Sequence, residues 1–223
     1  MTSAPKKTLQ KPKAILFDWD NTLVDSWAII LDAMNFTLKK YNMKPWTLDE
    51  TRQRVRKSMR NSFPQLFGEE WQQAADVFYS RFDEIHITML NPLEGAAEML
   101  SELSERGLYL AVVSNKRGEY LRKEASHLGW DRHFSRLVGA LDAKNDKPSS
   151  DPVELALSDS KHKRGGGVWF VGDADIDLEC AINADLAPIL LRPEAPKVDE
   201  FKKYSPICHI VDCQALSKLV ASL

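Results

Sequence analysis

Short runs of uninterrupted apolar residues, alternating with helical patterns, constrain the fold of this chain most. Three runs are clear, one is weaker and two are candidate edge strands: residues 14–17, 108–113 and 168–171, then 136–139, then 188–191 and 207–211. A strand that is covered on both faces shows continuous rather than alternating apolar character. The sequence therefore predicts a doubly wound, mostly parallel α/β sheet with helices on both faces.

A long helical segment follows the first apolar run. Residues 18–107 separate the first two strands, whereas a parallel crossover needs only roughly a dozen residues. Ser26 is a candidate cap for the first helix of this segment, and Thr47 with Glu50 forms a capping box for the second. An apolar stripe over residues 71–89 indicates a third helix. We therefore expect a helical cap attached just after the first strand.

The helix that returns to the sheet sets the end of this insertion. Pro92 is its expected start and Gly107 its expected stop. These boundaries predict a flexible tail, an α/β core in two pieces and a helical cap inserted between them: residues 1–12, residues 13–25 with 92–223, and residues 26–91.

Composition limits the cellular compartment and the binding partners that can be expected. The formal net charge of −2 argues against a nucleic-acid partner, and the apolar runs are too short for a membrane span. Cys180, Cys208 and Cys213 form no C-x-x-C pair, which is typical of reduced thiols in a cytosolic protein. The sequence thus predicts a cytoplasmic protein without nucleic-acid or membrane partners, and it leaves the oligomeric state open.

Acidic residues follow two of the apolar runs. Asp18 and Asp20 come directly after the first strand, and Asp173 and Asp177 follow the strand at residues 168–171. Ligands of open α/β sheets bind beyond the carboxyl ends of the strands. Clustered carboxylates repel one another, and a divalent cation relieves the repulsion. An all-oxygen set of this kind predicts a Mg²⁺ site.

Polar residues with affinity for phosphate lie at two further positions. Ser114 and Asn115 follow the second strand, and both side chains can donate a hydrogen bond to a phosphate oxygen. Lys147 lies in a loop before a helix, where its charge could neutralise both a transferring phosphate and an attacking carboxylate. Each residue alone is ordinary, and the order of all these groups along the chain carries the prediction.

In that order, the motifs resemble those of the haloacid dehalogenase superfamily of phosphatases, and most closely the phosphoglycolate-phosphatase group. The resemblance covers nearly the whole chain and rests on four motifs: Asp18-Trp19-Asp20-Asn21-Thr22, Ser114-Asn115, Lys147-Pro148, and Gly172-Asp173 with Asp177. The helical insertion resembles the small α-helical cap of that superfamily. The implied fold is a Rossmann-like core with a cap.

The resemblance also implies a catalytic role for each matched position. Asp18 would be the nucleophile that accepts the phosphoryl group, and Asp20 would protonate the leaving alcohol and then activate water. Thr22 and Ser114 would orient and bind the phosphate, and Lys147 would hold phosphate and nucleophile together. The second acid, Asp20, favours a phosphatase over a dehalogenase, because an alkoxide is a poor leaving group.

The implied metal ligands are carboxylates and one carbonyl. Asp18, the backbone carbonyl of Asp20, and Asp173 would hold Mg²⁺, with Asp177 binding directly or through water. Asp185 stands where the superfamily commonly has glycine, so it is expected in a left-handed backbone conformation.

Two basic or flexible segments allow more than one interpretation. Arg56 and Arg60 belong to a stripe of arginines that either contacts an acidic substrate or forms a solvated helix face. The resemblance places a specificity loop at about residues 58–63. Residues 165–167 are three glycines, which we interpret as a flexible surface loop.

The predicted function is Mg²⁺-dependent hydrolysis of a small phosphomonoester through an aspartyl phosphate, with phosphoglycolate as the substrate that the resemblance suggests. One alternative is a sugar phosphomutase of the same superfamily, which would return the phosphate to its substrate. The other is a non-enzymatic regulatory protein that binds phosphate and metal on this fold.

Overall fold

The computed structural model describes residues 9–55 and 58–223. No helix in these two ranges is long and apolar enough to cross a membrane. The strands are β1 (Ala14–Phe17), β2 (Val24–Asp25), β3 (Asn91–Pro92), β4 (Tyr109–Arg117), β5 (Arg136–Ala140), β6 (Gly165–Gly172), β7 (Leu186–Leu191) and β8 (Cys208–Ile210). The α-helices are α1 (Trp27–Lys40), α2 (Leu48–Arg54), α3 (Met59–Phe67), α4 (Trp71–Ile85), α5 (Ala96–Glu105), α6 (Gly118–His127), α7 (Asp151–Leu157), α8 (Asp175–Asn183) and α9 (Cys213–Ser222).

A parallel sheet forms the core, as the apolar runs predicted, but the candidate edge strand at residues 188–191 is β7, an inner strand between β6 and β8. In the described part of the chain its six strands lie in the order β5-β4-β1-β6-β7-β8, and each neighbouring pair is parallel. Alternate residues of β1 face two separate apolar clusters: Ile15 and Phe17 pack with α5 and α9, whereas Ala14 and Leu16 pack with α7 and α8. Both faces of the sheet are therefore covered, which explains the continuous apolar runs.

A separate helical layer lies between β2 and β3. Its helices α1, α3 and α4 share an apolar cluster that includes Phe63, Phe78 and Phe82, and Tyr120 of α6 joins this cluster from the core. The two strands that lead into and out of the layer pair antiparallel, with Val24 opposite Pro92. The division of the chain into a core and a cap at residues 26–91 stays a prediction, and this separate apolar cluster supports it.

The structure corrects predictions at three places between residues 58 and 167. The loop expected at about residues 58–63 is largely helix, because Phe63 and Phe67 of α3 pack together with ring centroids 5.0 Å apart. The returning helix begins at Ala96 rather than at Pro92, because Pro92 is held in the β2–β3 pair. The three glycines at 165–167 begin β6 instead of forming a loop.

Contacts with the segment before β1 explain why the three glycines at 165–167 belong to a strand. A Cβ at Gly166 would lie 3.2 Å from the Gln10 side chain, so glycine lets the preceding segment pack closely. The Gln10 carbonyl accepts a hydrogen bond from the Trp169 indole at 3.0 Å. Residue 10 of the predicted tail is therefore bound to the sheet, and residues 1–8 lie outside the described range.

Candidate active site

Three carboxylates converge where β1 and β6 end. Asp18 directly follows β1, and Asp173 and Asp177 follow β6, which is the neighbouring strand. One oxygen from each of the three lies within 4.8 Å of the others. The chain leaves β1 for β4 on one side and reaches β6 on the other, so the cluster lies at the topological switch point of the sheet.

Lys147 supplies the positive charge inside this cluster. Its side chain is buried, and Nζ lies 2.8 Å from Asp18 Oδ1 and 2.7 Å from Asp177 Oδ1. Burial alone would lower the pKa of Lys147, but the carboxylates of Asp177 and Asp18 outweigh it and raise that pKa above its usual value. The amine therefore stays charged between two acids.

Asn115 fixes the loop that carries this lysine. The Asn115 side chain accepts a hydrogen bond from the Lys147 backbone N–H at 3.0 Å and donates one to the Lys147 carbonyl at 3.2 Å. Both functional atoms of the amide are thus directed at the lysine backbone. The structure gives Asn115 a positioning contact, and its expected contact with substrate stays a prediction.

Burial makes the charged forms of these acids costly and so raises their pKa values. It raises the pKa of Asp18 from 3.8 to about 7, with Asp177 and Asp20 adding to the rise and Lys147 opposing it. Burial, together with Asp177 and Asp18, also raises the pKa of Asp173 well above its usual value. One lysine does not neutralise the cluster, so a further cation would relieve it.

A glycine lets Asp177 approach the end of β6. A Cβ at Gly172 would collide with the Asp177 side chain. Asp177 Oδ1 accepts from Lys147, and its Oδ2 accepts from the Ala174 backbone N–H at 3.1 Å at the start of α8. Both oxygens of Asp177 therefore already accept a hydrogen bond.

The hydroxyl residues of the motifs border the same cluster. Thr22 is fully buried, and its hydroxyl donates to Asp173 Oδ1 at 3.2 Å. Ser114 lies on β4, on the other side of β1, and lines the same cavity as Asp18. Thr22 is thus placed to orient Asp173, and Ser114 is placed to meet a ligand in the cavity.

Asp20 has partners that the sequence analysis missed. Lys116 Nζ lies 2.8 Å from Asp20 Oδ1, and the Ser26 hydroxyl donates to the same oxygen. Ser26 precedes α1 as expected, yet its side chain makes no capping hydrogen bond. Lys116 also contacts Glu124, a buried acid of α6. The spacing of Lys116 two residues after Ser114 on one strand is the signal that could have indicated it.

Glu124 contacts three buried side chains from different parts of the fold. It accepts from Lys116 Nζ at 2.6 Å and from the Trp19 indole at 2.7 Å, and it lies 3.0 Å from His86 Nδ1. Burial would raise the pKa of Glu124, but Lys116, His86 and Trp19 outweigh it and hold that pKa below its usual value. The Trp19 side chain is fully buried, and this hydrogen bond satisfies its indole N–H.

A cavity of about 1080 Å³ extends from the carboxylates to the helical layer. Its helical side is largely apolar and aromatic, with Trp27, Ile30, Met34, Trp46, Phe78 and Tyr79 among its residues. Arg52 and Arg54 also line it, and their guanidinium groups lie over the rings of Trp27 and Trp46 at 5.7 and 4.9 Å. The cavity can hold an organic group attached to a phosphate.

The two arginines expected at the substrate have different outcomes. Arg56 lies outside the described residues. Arg60 lines a separate cavity of about 240 Å³ and pairs with Asp146 of the core. The structure therefore places Arg60 in a contact between α3 and the core, and its expected role at the substrate stays a prediction.

Comparison with known proteins agrees with this architecture. Residues 15–190 match the model of the haloacid dehalogenase-like hydrolase family, so the chain belongs to that family and is a hydrolase. It is similar to a phosphoglycolate phosphatase of Aquifex aeolicus, with 28% identity over 77% of this chain and 81% of the relative. It is also similar to a pyrophosphatase of Halalkalibacterium halodurans, with 24% identity over 86% of this chain and 89% of the relative.

A solved structure shows the same fold. A hydrolase of this superfamily from Ehrlichia chaffeensis has a TM-score of 0.67 and 26% identity to this chain. The similarity covers 97% of this chain and 99% of the other. The superfamily and the fold expected from the motifs are therefore confirmed.

Proposed function

We propose that this hydrolase is a Mg²⁺-dependent phosphatase that cleaves a small phosphomonoester through a phosphorylated Asp18. The observation that carries the proposal is that Asp18, Asp173 and Lys147 lie close together at the switch point of the sheet, with Asp18 and Lys147 buried. A carboxylate nucleophile and a phosphate repel each other unless positive charge separates them. This cluster supplies one cation from the chain and an acidic site for another.

The acids fit a hard divalent cation. Asp18 Oδ1 is buried, and no group in the described part of the chain donates a well-aligned hydrogen bond to it, although Lys147 Nζ lies 2.8 Å away. It therefore keeps lone pairs for a metal. We assign direct ligation to Asp18, Asp173 and the backbone carbonyl of Asp20. Asp177 would bind the metal directly or through water, since one of its oxygens lies within 4.8 Å of those of Asp18 and Asp173. Bound Mg²⁺ would neutralise negative charge on the phosphate and on its ligands.

The remaining residues perform the transfer. Lys147 holds Asp18 in place and attracts the phosphate, and Ser114 donates a hydrogen bond to a phosphate oxygen. Asp18 attacks phosphorus, and Asp20 protonates the ester oxygen as it leaves. Asp20 then takes a proton from the water that hydrolyses the aspartyl phosphate, which regenerates both acids.

Residues 26–91 form the cap that selects the substrate in this proposal. The aromatic and cationic lining from this segment suits an anionic phosphoester with an organic group. Phosphoglycolate is one candidate, supported by the named activity of the Aquifex relative. The pyrophosphatase activity named for another relative supports testing inorganic pyrophosphate beside the phosphoesters.

A phosphate-release screen tests the proposal. Purified protein with Mg²⁺ is given a panel of small alkyl and aryl phosphomonoesters with pyrophosphate, and inorganic phosphate is measured. We expect release that stops with EDTA, returns with Mg²⁺ and is absent in Asp18→Asn. Stoichiometric free phosphate excludes a mutase. Activity that is indifferent to chelation, or that persists in Asp18→Asn, contradicts the proposed mechanism.

A further inference from the structure

The buried lysine beside Asp20, Lys116, contacts Asp20 and Glu124, whereas Lys147 is the lysine that contacts Asp18. The side chain of Lys116 is 5% exposed, and its Nζ contacts Asp20 Oδ1 at 2.8 Å and Glu124 Oε2 at 2.6 Å. Burying an amine is costly unless partners surround it. Because both acids contact the Lys116 amine, its position between them is fixed.

Glu124 is the anchor of this lysine. It is fully buried, and its partners come from three places: β4 with Lys116, the segment after β1 with Trp19, and the end of α4 with His86. A charge satisfied by donors from separate elements has little freedom to move. Lys116 therefore points at Asp20 from a rigid base.

Among residues 9–55 and 58–223, the polar contacts of the Asp20 side chain fall on a single oxygen. Lys116 Nζ and the Ser26 hydroxyl both meet Oδ1. Two donors on one oxygen fix the rotation of the carboxyl group about its bond to Cβ. Oδ2 is then the oxygen available to exchange a proton with a substrate in the cavity, which Asp20 lines.

We propose that Lys116, anchored by Glu124, is a positioning residue that turns Asp20 Oδ2 toward the leaving oxygen of the substrate. The inference rests on the proposed phosphatase function. In that step a bond forms between Asp18 and phosphorus, and the bond from phosphorus to the ester oxygen breaks. The electron pair stays on that oxygen, and the proton on Asp20 Oδ2 neutralises it.

The test uses the dependence of rate on the leaving group. The probes are p-nitrophenyl phosphate, whose phenol leaves readily as an anion, and the best alkyl phosphomonoester from the panel, whose alkoxide needs the proton. The parameter is kcat/KM, which excludes the later hydrolysis of the aspartyl phosphate. A misplaced acid should cost about 10²-fold with the alkyl substrate. We expect Lys116→Met to show that loss, and a loss of less than about threefold with p-nitrophenyl phosphate.

Three further variants keep the test decisive. Lys116→Met removes the lysine that pairs with Glu124 and leaves the Trp19 and His86 contacts of that acid. Lys116→Met/Glu124→Gln removes both charges and should show the same difference between substrates. Lys123→Met is the control, because Lys123 is exposed and pairs with Asp83 at the surface. In an Asp20→Asn background, Lys116→Met should lower the alkyl kcat/KM by less than about threefold, because the acid is already absent.

Two results would overturn the inference. One is an equal loss with both substrates in the double variant, which is the signature of a general structural defect. The other is an undiminished effect of Lys116→Met in the Asp20→Asn background. Failure of the phosphatase function itself would appear separately, as an absence of phosphate release by the wild-type protein.

Discussion

Replacing Asp18 by asparagine should abolish turnover and also stabilise the metal-free protein at alkaline pH. The carboxylate is buried among like charges, and asparagine has nearly the same shape without a charge. The two effects have one cause, since the charge that Asp18 needs for its proposed roles as nucleophile and metal ligand is costly to keep in the metal-free protein.

The magnitude follows from the pKa of Asp18, which rises from 3.8 to about 7 in the folded protein. About three pKa units at roughly 1.4 kcal/mol each give an upper bound of about 4 kcal/mol. Asparagine still has to be desolvated and Lys147 loses a partner, so we expect a gain of about 1–3 kcal/mol. For a chain of this length that raises Tm by roughly 3–10 °C.

The sign depends on pH. A carboxyl with a raised folded-state pKa contributes stability that is complete below about pH 4 and is lost as pH rises through about 7. Asparagine at this position removes that slope. The Tm of Asp18→Asn minus that of the wild type should therefore increase between pH 5 and pH 8.

Thermal unfolding in EDTA, followed by circular dichroism at both pH values, measures this difference. Asp76→Asn is the matched control, because Asp76 is exposed on α4. Saturating Mg²⁺ should stabilise the wild type more than the variant and so reduce the difference at pH 8. A Tm difference that is the same at pH 5 and pH 8 would refute the reasoning.

Two further substitutions test the cluster from other sides. Lys147→Met leaves buried acids without their cation, so we expect the free energy of unfolding to fall by about 3–5 kcal/mol. Activity should be lower by at least about 10²-fold. A metal-free Tm equal to that of the wild type would contradict the assigned ion pairs. Gly172→Ala places a methyl group against Asp177, so a loss of about 1–3 kcal/mol and a lower kcat are expected. Gly167→Ala on the same strand is its control, since a Cβ there makes ordinary contacts at 3.9 Å or more, and equal Tm values for the two variants would argue against the collision.

The core of the fold was predictable because its signal is local. Runs such as Ala14–Phe17 are apolar on both sides, and that pattern requires a sheet between two layers. The left-handed conformation expected at Asp185 is confirmed, with a φ of 56°. The β2–β3 pair was missed, since two residues per strand are too few to show a period.

The acids of the site were predictable for a different reason. Strand ends are marked in the sequence, and the ends of neighbouring parallel strands meet at one edge of the sheet. The environment of Asp20 was not predictable, because Lys116, Glu124 and His86 meet only after α4 and α6 have packed. From the sequence alone, a lysine at the end of a strand and a glutamate in a helix are expected at the surface.

The pairing of β2 with β3 brings the two ends of residues 26–91 together, and under the proposed function it would separate catalysis from substrate selection along the polypeptide. Asp25 and Asn91 face each other in an antiparallel ladder, and a two-residue turn is the usual link between residues so placed. The sixty-odd residues between them could thus be exchanged for another segment without breaking a core strand. If this segment selects the substrate as proposed, replacing that one continuous stretch would change the substrate range, while the acids at the ends of β1 and β6 keep their positions.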